Sequence, residues 1–184
     1  MPPSDNTGGS VERVRAALLA AGHPDSITVF PAGTRTAADA AAAVGCTVAQ
    51  IAKSIVFRAG ERPAVIITSG ANRVDAAKAA AALGVKLTRA DADWVREVTG
   101  FAIGGVAPVG HLAPPLMLLD EDLMALDPVW AAAGSPSHVF RTTAEELRRI
   151  SSAHVSRLRQ AQPGDQIPKD TPPLQPPGPE HQAR

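Results

Sequence analysis

One cysteine, Cys46, stands among 184 residues. That excludes a disulfide framework and any Cys-rich zinc site. Tyrosine is absent, and four Phe and two Trp make up the whole aromatic complement. A surface that stacks many bases on rings, as single-strand binders do, is disfavoured on that count. Charge of either sign is not in excess, with 18 Lys and Arg against 18 Asp and Glu. Gripping long stretches of nucleic acid by electrostatics alone needs a basic surplus, so that mode is excluded, while a small contact with one RNA end is not. No run approaches the ~18 apolar residues of a membrane-spanning helix. The opening MPPSDNTGGS has neither the basic start nor the apolar core of a signal peptide, so a soluble cytoplasmic protein is expected. A GxSxG elbow, an HExxH pair, a P-loop and a GxGxxG turn are all missing.

What is present is an ordinary globular composition, 45% hydrophobic and 20% charged, at a length that suits one domain. With so few rings the core must be built from Val, Ile, Leu and many alanines, which bury little area each and depend on close packing. Residues 1–9 read as a disordered start. Val11, Val14, Ala17, Leu18 and Ala21 recur at helical spacing, with Ser10 as cap and Gly22 as stop. Residues 27–30 form a short strand. Thr36 with Asp39 reads as a capping box opening an alanine-rich helix that ends at Gly45.

Residues 51–58 and 63–68 are β-rich runs around a Gly60 turn, a hairpin whose nearly all-apolar second strand belongs in the middle of a sheet. Helices are expected over 75–83 and 91–98, with an edge strand at 85–88. Further strands are expected at 116–119, 129–133 and 138–141. A helical turn joins the first two, and a last helix, capped by Thr142 with Glu145, runs through Ile150. From Gln162 the composition turns to Pro, Gln and Gly, so the domain is expected over 10–160 and a Pro-rich disordered tail over 161–184.

Two features stand out chemically. Lys53 lies in the otherwise apolar Ile51-Ala52-Lys53-Ser54-Ile55-Val56-Phe57, where strand alternation puts it on one face with Ile51, Ile55 and Phe57. A lysine there either meets a partner or ligand, because an unpaired buried ammonium is costly, or it snorkels from an exposed strand end. The second feature is the Gly/Pro-punctuated stretch of residues 100–110, GFAIGGVAPVG. Glycines let a backbone come close to a ligand and leave amides free to point into a site, although such stretches also serve as plain turns. Cys46 reads as a small core hydrophobe and His111 as structural. Arg141, Arg148, Arg149, Arg157 and Arg159 gather near the end of the folded region, where a solvated helix end is the default reading.

Taken in order, GCTVAQIAKSIVF, SGANRVDAAKAAAALG, WVREVTGFAIGGVAPVGH, AAGSPSHVF and TTAEEL resemble the YbaK/EbsC family. These are free-standing relatives of the prolyl-tRNA synthetase editing domain, and the resemblance spans about residues 10–150. It includes the family's lysine, here Lys53, and its GxxxP loop, here Gly104, Gly105, Val106, Ala107 and Pro108. It implies an α/β fold: a mixed, largely antiparallel, twisted, barrel-like sheet with helices packed outside. It also implies a trans-acting aminoacyl-tRNA deacylase that needs no cofactor or metal.

In such an enzyme Lys53 holds the terminal nucleotide's phosphate-sugar region and the loop presents amides near the scissile carbonyl. Ser54, Gly134 and His138 are the implied substrate contacts. The implied partners are the 3′ end of an aminoacyl-tRNA and, for some members, a synthetase. Family members acting on Ala-tRNA(Pro) commonly carry Asn where this chain has Ser54, and the Lys53-Ser54 pair looks closer to members acting on Ser- or Thr-tRNA. The rival readings are a non-catalytic module for the aminoacylated end or a synthetase, and a hydrolase of some other small ester.

Overall fold

In a computed structural model the chain is described over residues 7–31 and 36–165. Helix α1 (Thr7–Ala20) begins three residues before the expected cap, so residues 7–9 are helical rather than disordered, and 1–6 lie outside the described residues. Ser10 is not a cap at all. Its hydroxyl donates to the Gly134 carbonyl at 2.7 Å, tying α1 to a loop 124 positions away. Val11, Val14 and Leu18 are the buried stripe of this helix.

The remaining elements are β1 (Ile27–Val29), α2 (Ala37–Val44), β2 (Ile51–Ala59), β3 (Arg62–Ser69), α3 (Ala76–Leu83), β4 (Thr88–Arg89) and α4 (Ala92–Thr99). They continue with β5 (Leu116–Asp120), β6 (Val129–Ala132), β7 (His138–Thr142), α5 (Ala144–Ser151) and β8 (His154–Ser156). The Thr36–Asp39 capping box is present, and Gly45, Gly84 and Gly100 close their helices in the left-handed conformation. One sheet runs β1-β7-β6-β2-β3-β5-β8, with β4 alongside β2. Pairs β1/β7, β2/β3, β2/β4 and β6/β7 are antiparallel, and β2/β6, β3/β5 and β5/β8 are parallel. The sheet is therefore mixed, as expected, and runs as an open path from β1 to β8.

Strand β3 is central because both of its faces are covered. Val65 and Ile67 pack with Val14, Leu18 and Leu119, while Ile66 packs on the other side with Ala79, Leu118 and Leu158. Each fully buried aliphatic side chain of this kind contributes roughly 1.5–3 kcal/mol. Asp120, fully buried at the end of β5, accepts from Thr68 Oγ1 (3.3 Å), Asn72 Nδ2 (2.9 Å) and the Leu158 N–H (3.1 Å), which offsets its desolvation.

Three expectations shift. The strand over 85–88 is only β4. The cap of α5 is Thr143, whose Oγ1 accepts from the Glu146 N–H at 3.1 Å, whereas Thr142 points inward beside His23 Nε2 at 3.0 Å. Strand β8 lacks any apolar run and forms because β5 offers it a parallel edge. The chain stays attached as far as Asp165, which pairs with both terminal nitrogens of Arg159 at 2.6 and 2.9 Å, past the expected start of the tail at 161. Residues 166–184, the rest of that tail, lie outside the described residues. Among the described residues no helix is long and apolar enough to cross a membrane.

Candidate active site

Lys53 is the third residue of β2, half-buried, opposite Thr68 of β3. It borders a cavity of about 280 Å³ together with Ser54, Gly104, Val106, Trp130 and His138. Its side chain is thus half-buried on a cavity wall, near the start of the strand. Burial, and then the positive charge of Arg73, hold its ammonium pKa below the ordinary lysine value. Arg73 comes from the Asn-Arg-Val-Asp segment, whose other polar members are structural. Asn72 bonds Asp120 and Asp122, and Asp75 caps α3.

The β2/β3 register is unbroken from Ala52 opposite Ser69 to Ala59 opposite Arg62, so Lys53 and Ser54 point to opposite faces. Both still border the cavity because it opens at the edge of β2, between β6 and the loop of residues 103–106.

That loop is fixed from behind. Arg13 of α1 donates from Nε to the Gly110 carbonyl (2.6 Å) and from a terminal nitrogen to the Gly100 carbonyl (2.9 Å), and its guanidinium lies 4.8 Å from the centre of the Phe101 ring. Ala107 and Pro108 are buried behind the wall, and neither borders the cavity. Gly104, at φ +91°, does border it. Gly105 acts as a spacer: its N–H closes a turn onto the Ala102 carbonyl at 2.9 Å, and a Cβ there would lie 2.6 Å from Ser135 Cα. Of the five loop residues, then, Gly104 and Val106 face the cavity, Gly105 sets the loop's distance from Ser135, and Ala107 and Pro108 anchor it.

Ser135 was not singled out from the sequence, although a serine three positions before a histidine in a Gly-Ser-Pro-Ser-His turn is a visible signal. It is 2% exposed, and its hydroxyl sits 2.5 Å from His138 Nδ1, which leaves Nε2 as the imidazole nitrogen available to a ligand. Gly134 lies off the cavity wall. At φ +97° it makes room for α1, since a Cβ would come within 2.7 Å of the Ser10 carbonyl oxygen.

The basic cluster of the C-terminal part is largely neutralised. Arg148 pairs with Glu145, Arg149 with Glu146, Arg157 with Glu121, and Arg159 with Asp122 and Asp165. Cys46 packs beside α2, and burial pushes its thiol pKa up, away from thiolate reactivity.

Among the described residues the cavity joins one ammonium, one imidazole and a glycine loop on mostly apolar walls, with no carboxylate in its lining. It can hold an anionic or ester group and stabilise negative charge developing on oxygen. Because the gap between Gly105 and Ser135 admits no Cβ, Gly105→Ala should push the loop away from His138. Any hydrolytic activity should fall about tenfold or more, since misplacement by ~1 Å costs up to 10²-fold. A steady-state assay beside a thermal melt checks this, and unchanged activity would show that the loop spacing is irrelevant.

Three comparisons bear on this site. The family model for the aminoacyl-tRNA editing domain matches residues 31–150, which contain every cavity residue named above. The uncharacterised protein YwhH of Bacillus subtilis is 31% identical over 147 residues, 79% of this chain and 94% of that protein. A crystal structure of a protein proposed to be a trans-editing enzyme for prolyl tRNA synthetase is 45% identical, with a TM-score of 0.79 over 83% of this chain and 98% of its own. A hypothetical protein at 23% identity, covering 80% of this chain and 99% of its own with a TM-score of 0.74, shares the fold. With Lys53, the glycine loop and His138 meeting on one cavity inside the matched span, the chain belongs to the aminoacyl-tRNA editing domain family.

Proposed function

We propose that this protein hydrolyses, in trans, the ester joining a small amino acid to the 3′-terminal adenosine of a mischarged tRNA. The observation that carries the reading is the convergence of Lys53, His138 and the backbone at Gly104 and Val106 on one mostly apolar cavity. The water oxygen attacks the ester carbonyl carbon, the bond to the ribose oxygen breaks, the proton passes to that oxygen, and the amino acid leaves. An activated ester needs positioning and oxyanion stabilisation more than a side-chain nucleophile.

Lys53 holds the phosphate-sugar region, and the substrate's own ribose hydroxyl assists the attacking water. The amides of Gly104 and Val106 face the developing oxyanion, and His138, oriented through Ser135, contacts the aminoacyl end. Alanines of α2 and β6 line the wall at Ala37, Ala40 and Ala132, which suits small side chains such as Ser, Thr, Ala or Cys. A synthetase partner that delivers the substrate is compatible with the chain's zero net charge.

The test is release of labelled amino acid from Ala-, Cys-, Ser-, Thr- and Pro-charged tRNAs. Selective release of one or two is expected. No release from any, at enzyme in excess of substrate and with the cognate synthetases present, would leave a non-catalytic 3′-end binding module in its place. Competition by deacylated tRNA separates a tRNA deacylase from an esterase of some other substrate class.

A further inference from the structure

A second cavity of about 420 Å³ adjoins the first, and the two share Ser54, Ile55, Ile103, Gly104 and Val106. Its other walls are Val56, Phe57, Ala90 and Val95, with Arg89 at the side. Among the described residues Arg89 has no carboxylate partner, although Arg15, Arg58, Arg148, Arg149, Arg157 and Arg159 all do. Ile103, 59% exposed, hangs at the mouth shared by both cavities.

The floor between them is a bare strand edge. On the side away from β3, β2 is covered only at its ends: Ile51 and Ala52 by Trp130 and Ala131 of β6, and Phe57 and Arg58 by Arg89 and Thr88 of β4. Residues 53–56 have no strand beside them there. Peptide groups alternate sides along a strand. The Ile51 carbonyl accepts from the Gly70 N–H at 2.6 Å on the β3 side, so Lys53 and Ile55 also turn their peptide groups to β3. The Ser54 carbonyl and the Val56 N–H therefore point to the open side. An acceptor and a donor stand side by side there, and both require partners when water is displaced.

We infer that this second cavity binds an adenine nucleotide. The exocyclic amino group of adenine donates to the Ser54 carbonyl, and the neighbouring ring nitrogen accepts from the Val56 N–H. The flat base lies between the apolar walls under Ile103, and Arg89 flanks the nucleotide's phosphate from the second cavity while Lys53 holds its phosphate-sugar region from the first. Adenine presents this donor-acceptor order; hypoxanthine and guanine carry an oxygen in place of the amino group and an N–H in place of the acceptor, so they set oxygen against oxygen and N–H against N–H. The inference rests on the function proposed above. The adenine would be that of the 3′-terminal adenosine, which would direct the ester into the first cavity between Lys53, His138 and the glycine loop.

The test is a nitrogen-15 NMR titration of the full chain with adenosine 5′-monophosphate and, in parallel, inosine 5′-monophosphate. The expected result is a saturable shift of the Val56 amide by the adenine nucleotide, with affinity for the inosine nucleotide lower by about tenfold or more, the loss of a buried hydrogen-bond pair. Arg89→Ala should weaken the adenine nucleotide toward the affinity of adenosine itself. Val56→Pro deletes the N–H where no ladder bond depends on it, and should remove the preference for adenine while Val56→Ala keeps it.

Equal affinities for the two nucleotides, or no saturable shift up to their solubility limits, would overturn the site. The two proposals fail separately. Adenine-selective binding without hydrolysis of any charged tRNA leaves this site standing and sinks the deacylase. Hydrolysis by a protein blind to adenine does the reverse.

Discussion

Replacing Lys53 by alanine is expected to lower hydrolysis of the preferred aminoacyl-tRNA by about 10²–10³-fold, the scale of losing one preorganised charge or donor aimed at a transition state. The fold should survive the change. Among the described residues the ammonium has no carboxylate partner whose burial it offsets, and Arg73 lies close enough to oppose its charge. Truncation therefore relieves a like-charge contact instead of orphaning a buried group.

Single-turnover hydrolysis measured beside a thermal melt checks both halves of this expectation. A variant as active as the parent would remove Lys53 from the mechanism. Lys53→Arg keeps the charge but replaces a point ammonium with a planar fork, so it should recover only part of the rate. Burial and Arg73 both lower the pKa of this lysine, so its charged form is present below that value and lost above it. The rate advantage over spontaneous hydrolysis should accordingly fade on the alkaline side, at a lower pH than an ordinary lysine would give.

The second large effect concerns stability and comes from His111. This ring packs edge-on against Phe101, with centroids 5.3 Å apart, and among the described residues neither of its nitrogens makes a hydrogen bond of good geometry, the Ala107 backbone offering only a weak contact. Burial is the main cause that takes its pKa from 6.5 to about 4; the nearby charge of Arg13 adds to it, while the Ala107 backbone works in the opposite direction. The folded state thus refuses a proton that the unfolded chain accepts. Stability is complete above the unfolded value near 6.5 and falls as the pH drops toward 4, by about 3 kcal/mol at one pKa unit per 1.36 kcal/mol.

Denaturant unfolding at several pH values, compared with His111→Leu, isolates this contribution because the other titrating groups cancel in the difference. The parent should lose stability relative to the variant between pH 6.5 and 4, and parallel curves would refute the assignment. The loosening should begin in the loop of residues 100–110, since a second cation would form beside Arg13, which holds both ends of that loop.

The legible parts of this protein share a physical basis. The β2–β3 hairpin, the helices that stop at Gly45, Gly84 and Gly100, and the Thr36–Asp39 capping box all depend on contacts within a few residues, and those leave a periodic or punctuated trace in the chain. Lys53 was conspicuous because a charge in an apolar run is costly without a reason. Where the expectation moved, a distant partner had intervened. Thr142 lost the cap to Thr143 because its hydroxyl meets His23, 119 positions away, and Ser10 gave up capping for the Gly134 carbonyl. Strand β8 has no pattern of its own and needs the edge of β5 to exist.

The sequence by itself determined the family resemblance, the order of helices and strands as far as α5, and the presence of a lysine in an apolar strand and of a glycine loop. Tertiary structure alone decided that Gly104 and Val106 face the cavity while Ala107 and Pro108 stand behind it, that Ser135 orients His138, and that β2 is left bare between β6 and β4. The division follows from range. Caps, turns and alternation are set by neighbours along the chain, whereas a cavity wall and an unpaired strand edge are defined by which distant segments arrive beside them and where they stop.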